Sequence, residues 1–157
     1  MRHPKSALLA SMFLSAGSAL AQVGGALNSL PATPSEPSNL AEAAGRYIAA
    51  VEQLHVLKGT RCGYALKRQI PSYEKVIADE IQPAFPPQAR NEVATALMGM
   101  KRDVTLQGQT FFNNVYVYYT KTEQLDNNTA CGFITGAFIT TRKLAAEAFE
   151  RTKSKRP

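Results

Sequence analysis

Two cysteines constrain this fold more than anything else in the chain. Cys62 and Cys131 are the only ones in 157 residues, and what precedes them decides their chemistry. Arg2, His3 and Lys5 form a short basic start, and Ala7-Leu8-Leu9-Ala10 with Met12-Phe13-Leu14 opens an apolar run. Ala19-Leu20-Ala21 then supplies the small-x-small site that signal peptidase cuts. Residues 1–21 are therefore expected to be a cleaved signal peptide, and the mature chain to be periplasmic or secreted. In such an oxidising compartment an even cysteine count favours a disulfide, and in a monomer two cysteines have only one pairing. A bridge closing a loop of about 70 residues stabilises a chain by about 4 kcal/mol. That is a large share of a small domain's total stability.

The apolar run of the leader is broken by Ser11, Ser15, Gly17 and Ser18 and is too short to span a bilayer. No later segment approaches the length of a membrane span, so no transmembrane segment is expected in the mature chain. Residues 22–38, with Gly24-Gly25 and Pro31, Pro34 and Pro37, read as a flexible linker. Residues 39–151 read as one helical domain, and residues 152–157 as a basic tail. Together these features define an all-α fold: a four- or five-helix bundle tied by one disulfide, after a cleaved signal peptide.

Inside the domain, Asn39 followed by Glu42 predicts a capped helix start. Leu40, Ala44, Tyr47, Ile48, Val51 and Leu54 continue it at helical spacing, and Gly59 stops it. Residues 62–70 suggest a further helical piece ended by Pro71. Ser72 caps a short helix carrying Tyr73, Val76, Ile77 and Ile81 on one face. A third helix is expected from about Pro87, with Val93, Ala96, Leu97, Met100 and Val104 as its apolar stripe. Residues 111–120 have strand composition, yet a single strand would lack a partner, so a helix is expected. Asp126-Asn127-Asn128-Thr129 reads as a turn and cap, followed by a helix from about Thr129 to Arg151. Its wide apolar face comprises Phe133, Ile134, Ala137, Phe138, Leu144, Ala145, Ala148 and Phe149. Gly132 and Gly136 would admit a closely packed backbone.

The formal charge of +6 comes from 18 basic and 12 acidic residues. Six of the basic residues are terminal: Arg2, Lys5, Arg151, Lys153, Lys155 and Arg156. The body is thus neutral, which argues against a nucleic-acid partner. His55 is the only histidine after the leader and sits within the first helical stripe, so a histidine-assisted nucleophile or a metal site has little to build on. No catalytic residues, no cofactor and no metal site are predicted. Tyr116, Tyr118 and Tyr119 cannot all face one core from a helix, and tyrosine favours recognition surfaces. They are expected to bind a partner, and a homodimer is also possible. Asn127-Asn128-Thr129 is a glycosylation sequon, which here reads as a helix cap.

The stretch Cys131-Gly132-Phe133-Ile134-Thr135-Gly136-Ala137 resembles a C-x-[FY]-[IV]-x-G segment of small periplasmic immunity proteins, which neutralise cell-wall amidases delivered by type VI secretion. The resemblance covers those seven residues and the general layout of an exported, disulfide-linked helical protein. It implies a non-catalytic protein that inhibits another exported protein, such as a secreted effector enzyme, by occluding its cleft. The rival expectations are an envelope stress or chaperone-like factor and a hydrolase using a carboxylate pair. No pair stands out among the twelve acidic residues.

Overall fold

A computed structural model describes residues 35–67 and 69–155. The expected signal peptide and residues 22–34 of the expected linker lie outside the described residues. Four α-helical segments follow one another: α1 (Leu40–Lys58), α2 (Tyr73–Val76), α3 (Arg90–Val117) and α4 (Asn127–Ser154). No strand occurs among the described residues, and residues 111–120 are helical.

Each start is set by local chemistry. Asn39 Oδ1 accepts the Glu42 N–H at 2.9 Å. The Glu42 carboxylate reaches one residue past the usual capping-box position, to the N–H of Ser38 at 2.9 Å and its hydroxyl at 2.7 Å. Ser72 caps α2 by accepting the Lys75 N–H, and α2 widens into a π-helical turn, Ile77–Ile81. Proline opens the 3-10 turns Gln82–Ala84 and Pro87–Ala89, and the second leads into α3. Asp126 caps α4.

The helix α1 is the centre of the molecule. Thirteen of its 19 residues are buried, because α3 and α4 pack on different sides of it. Tyr47, early in α1, stacks on Phe149, late in α4, at 5.8 Å. Leu54 and Leu57, late in α1, meet Cys131, Ile134 and Phe138. The two helices are therefore antiparallel. Conversely, Val93 and Leu97 of α3 share a cluster with the first half of α1, and Phe112 and Tyr116 with its last turn, so α3 runs parallel to α1. Gly108 permits the close approach of α3, since a Cβ there would stand 3.3 Å from Val56 Cγ2.

Several expectations are corrected. Among the described residues of 62–70 the only helical piece is the 3-10 turn Gly63–Ala65, because Leu66 leaves helical geometry at ψ 90°. The wide apolar face of α4 is covered only in part. Ile134, Phe138 and Phe149 are buried, whereas Phe133 and Leu144 are 56% and 51% exposed and Ala137 is exposed. A single helix, α1, covers most of α4's length, and one helix can cover only one stripe of another. Nothing approaches Gly132 or Gly136, so neither admits a backbone. Residues 152–154 of the expected tail belong to the fold, since α4 continues to Ser154, and residues 156–157 lie outside the described residues. The end of the expected linker is also engaged. Ser35 accepts hydrogen bonds from Arg46, and Glu36 lies 3.9 Å from Arg151 and 3.4 Å from Lys155.

Candidate functional site

The Cys62–Cys131 disulfide joins the turn after α1 to the first turn of α4, across 69 residues. Both cysteines are buried. Around them the backbone is tightly fixed. The Thr60 hydroxyl donates to Leu57 O at 2.7 Å and accepts the Cys62 N–H at 3.2 Å. Gly63 sits directly over the end of α1: a Cβ there would be 2.1 Å from Lys58 O. On the other side, the Asp126 carboxylate accepts the N–H groups of Asn128 and Thr129 at 2.9 and 3.1 Å and the Thr129 hydroxyl at 2.6 Å. Those bonds, the one from the Thr129 hydroxyl foremost, hold the Asp126 carboxyl below its ordinary pKa.

Aromatic side chains gather on this frame. Tyr64 is 62% exposed and donates its hydroxyl to Asn128 Oδ1 at 2.8 Å. Tyr116 is turned inward: it is buried, donates to Asn127 Oδ1 at 2.5 Å, and carries the Arg61 guanidinium 4.8 Å above its ring. Beyond it α3 ends in a second π-helical turn, Tyr118–Thr122. Tyr118 and Tyr119 meet edge to face at 5.6 Å, and Tyr119 stacks on Phe133 at 5.8 Å. Tyr118 donates to the Glu123 carboxylate, which raises the phenol pKa. The connection closes through Gln124 at φ 54° and the Leu125 N–H to Tyr119 O at 3.0 Å.

Of the three tyrosines singled out from sequence, Tyr118 and Tyr119 are half-buried at the rim of this surface, while Tyr116 is buried beneath it. Tyr64, Phe133 and Arg61 complete the surface and were missed. Tyr64 and Phe133 each stand two residues after a cysteine.

Elsewhere several polar groups pair internally. His55 Nε2 donates to Pro71 O at 2.8 Å. Tyr47 donates to Glu80 at 2.6 Å, and burial first, then the Glu80 carboxylate, pushes its pKa up to about 12. A shallow groove of about 470 Å³ along α3 is lined by Met98, Lys101, Arg102, Thr105 and Leu106. There Lys101 pairs with Glu74 at 2.6 Å and Thr105 with Glu52 at 2.7 Å. Among the described residues no cluster of three or more His, Cys, Asp or Glu could hold a metal ion. No described helix is long and apolar enough to cross a membrane. No known protein family, curated protein or solved structure matches the chain.

Proposed function

We propose that this is an exported, non-catalytic protein that binds another exported protein through the aromatic end formed by Tyr64, Tyr118 and Tyr119. The observation that carries the reading is that Tyr64 is exposed, and Tyr118 and Tyr119 half-buried, on a segment fixed by a buried disulfide and a capped helix start. Rigid aromatic groups give large contact area with little loss of side-chain freedom on binding, and tyrosine and arginine dominate binding hot spots. The resemblance around Cys131 sharpens the proposal to an inhibitor of a secreted cell-wall-degrading enzyme, with the aromatic end occluding its cleft.

The test is a pull-down with the oxidised, processed chain as bait against the envelope and secreted proteins of its own source. A single stoichiometric enzyme that loses activity when bound, and that is released by Tyr118→Ala with Tyr119→Ala, supports the reading. Retention of that partner by the double variant rejects the surface. Broad capture of unfolded proteins replaces inhibition with a chaperone-like role.

A further inference from the structure

The end of the bundle that holds the Cys62–Cys131 bridge, residues 58–67 and 116–131, also holds the uncancelled charge of the described chain. Lys58 ends α1, Arg61 and Lys67 follow in the connection, and Lys121 lies in the π-helical turn that ends α3. All four are exposed. Glu123 and Asp126 are the only acidic residues there, whereas over the remaining described chain basic and acidic residues are equal in number. Both carboxylates are engaged from within. Glu123 accepts the Tyr118 hydroxyl, and Asp126 caps α4. Every ion pair among the described residues lies elsewhere, so none of these four cations has a carboxylate partner among them.

Arg61 is the best placed of the four. Its guanidinium is held 4.8 Å above the Tyr116 ring, and a guanidinium kept over a ring still has its N–H groups to donate, in a planar fork that matches a carboxylate. Tyr116 in turn donates its hydroxyl to Asn127 Oδ1 at 2.5 Å, and Tyr64 donates to Asn128 Oδ1 at 2.8 Å. Both carboxamide oxygens are thus filled, which leaves the NH2 groups of these two exposed side chains as donors. The exposed Tyr64 ring adds apolar area beside them.

We infer, resting on the reading of this end as a partner surface, that its partner presents an acidic protein surface, one carboxylate of which is taken by Arg61 with Asn127 and Asn128 against the Tyr64 ring. N–H donors joined to unpaired cations select an anion. A protein carboxylate fits better than a phosphate polymer, which needs an unbroken basic stripe; here Glu123 and Asp126 interrupt it. Such complementarity speeds encounter and weakens as salt rises.

Fluorescence polarisation of the oxidised, processed chain tests this with three labelled probes. One is an end-blocked peptide of alternating glutamate and leucine, the second its glutamine counterpart, the third a single-stranded DNA oligomer. The acidic peptide is expected to bind, less tightly as salt rises, and to shift the amide resonances of Arg61, Tyr64, Asn127 and Asn128. Arg61→Glu is expected to weaken it roughly tenfold or more, and Arg61→Lys, which keeps the charge but not the fork, by less. Asn128→Asp keeps an acceptor for Tyr64 and suits a helix start, so the fold is retained while binding falls roughly tenfold. Equal binding of the glutamine peptide, tighter binding of DNA, no binding, shifts confined to other residues or indifference to Arg61→Glu overturns the proposal. The proposed function fails separately. A chain that holds the acidic peptide at this end but captures no enzyme rejects inhibition and leaves acidic recognition standing. An enzyme captured equally well by Arg61→Glu does the reverse.

Discussion

At one end of the molecule Leu54, Leu57, Phe112, Tyr116, Ile134 and Phe138 gather around the Cys62–Cys131 bridge. At the other, Leu40, Ile48, Val51, Tyr73, Val76, Ile81, Leu97 and Phe149 gather without any covalent link. The difference follows from what lies between the helices. Near the bridge, the described residues between 59 and 71 hold only one 3-10 turn, so little regular structure among them braces the end of α1 against α4. At the far end α2 and its π-helical extension are wedged against α1 and fastened by side-chain hydrogen bonds. Tyr73 donates to Leu97 O at 2.6 Å, and Tyr47 to Glu80. One end is closed by a bond and the other by inserted chain.

The largest expected effect breaks the first of these. Cys62→Ser with Cys131→Ser should cost about 4 kcal/mol, lowering the melting temperature by more than about ten degrees in calorimetry. Hydrogen exchange should quicken mainly over the first turns of α4. Equal quickening at both ends would mean that the bridge serves the whole fold rather than its own cluster.

Next comes Leu97→Ala, which empties a fully buried site in the other cluster and should cost about 3 kcal/mol. Its cost should add to that of the bridge, because the two clusters share no buried residue. Ile70 packs against both clusters, so Ile70→Ala is the substitution for which a double-mutant cycle should reveal coupling.

A smaller effect is expected at Gly63. Gly63→Ala collides with Lys58 O and should cost about 2 kcal/mol in the oxidised protein, and less once the bridge is reduced and the turn can relax. Chemical denaturation under both conditions measures the difference.

The smallest effect is in acid. Burial alone would raise the Glu42 pKa, but hydrogen bonds from Ser38 and Arg46 outweigh it and leave the group below its ordinary value. A depressed folded-state pKa gives stability that is present above the unfolded value and lost as pH falls through the folded one. The stability of Glu42→Gln should therefore fall less steeply than wild type below about pH 4.5. A denaturant series from neutral pH to pH 3 would check it.

The caps at Asn39, Ser72 and Asp126, and the bridge itself, were legible in the sequence because each depends on residues a few positions apart or on a forced pairing. The exposure of Phe133, Ala137 and Leu144 was not, since their spacing matches a buried helix face as well as an uncovered one. Only the packing of α4 on α1 decides between them. The separate fates of Tyr116, Tyr118 and Tyr119 were hidden for another reason. The π-helical turn Tyr118–Thr122 shifts the helical register just where they fall, and a 3.6-residue period carries no sign of it.

The central position of α1 also sets a timetable. A chain made from its amino end produces α1 early and the helix that covers it last. Until residues 131–149 have emerged, the Phe149 face of Tyr47 stays bare and Cys62 has no thiol to join. Contacts that span so much sequence form slowly, since a long loop must close before they hold. From residue 62 until residue 131 the unfinished chain therefore carries an apolar helix and a cysteine whose partner has yet to be made.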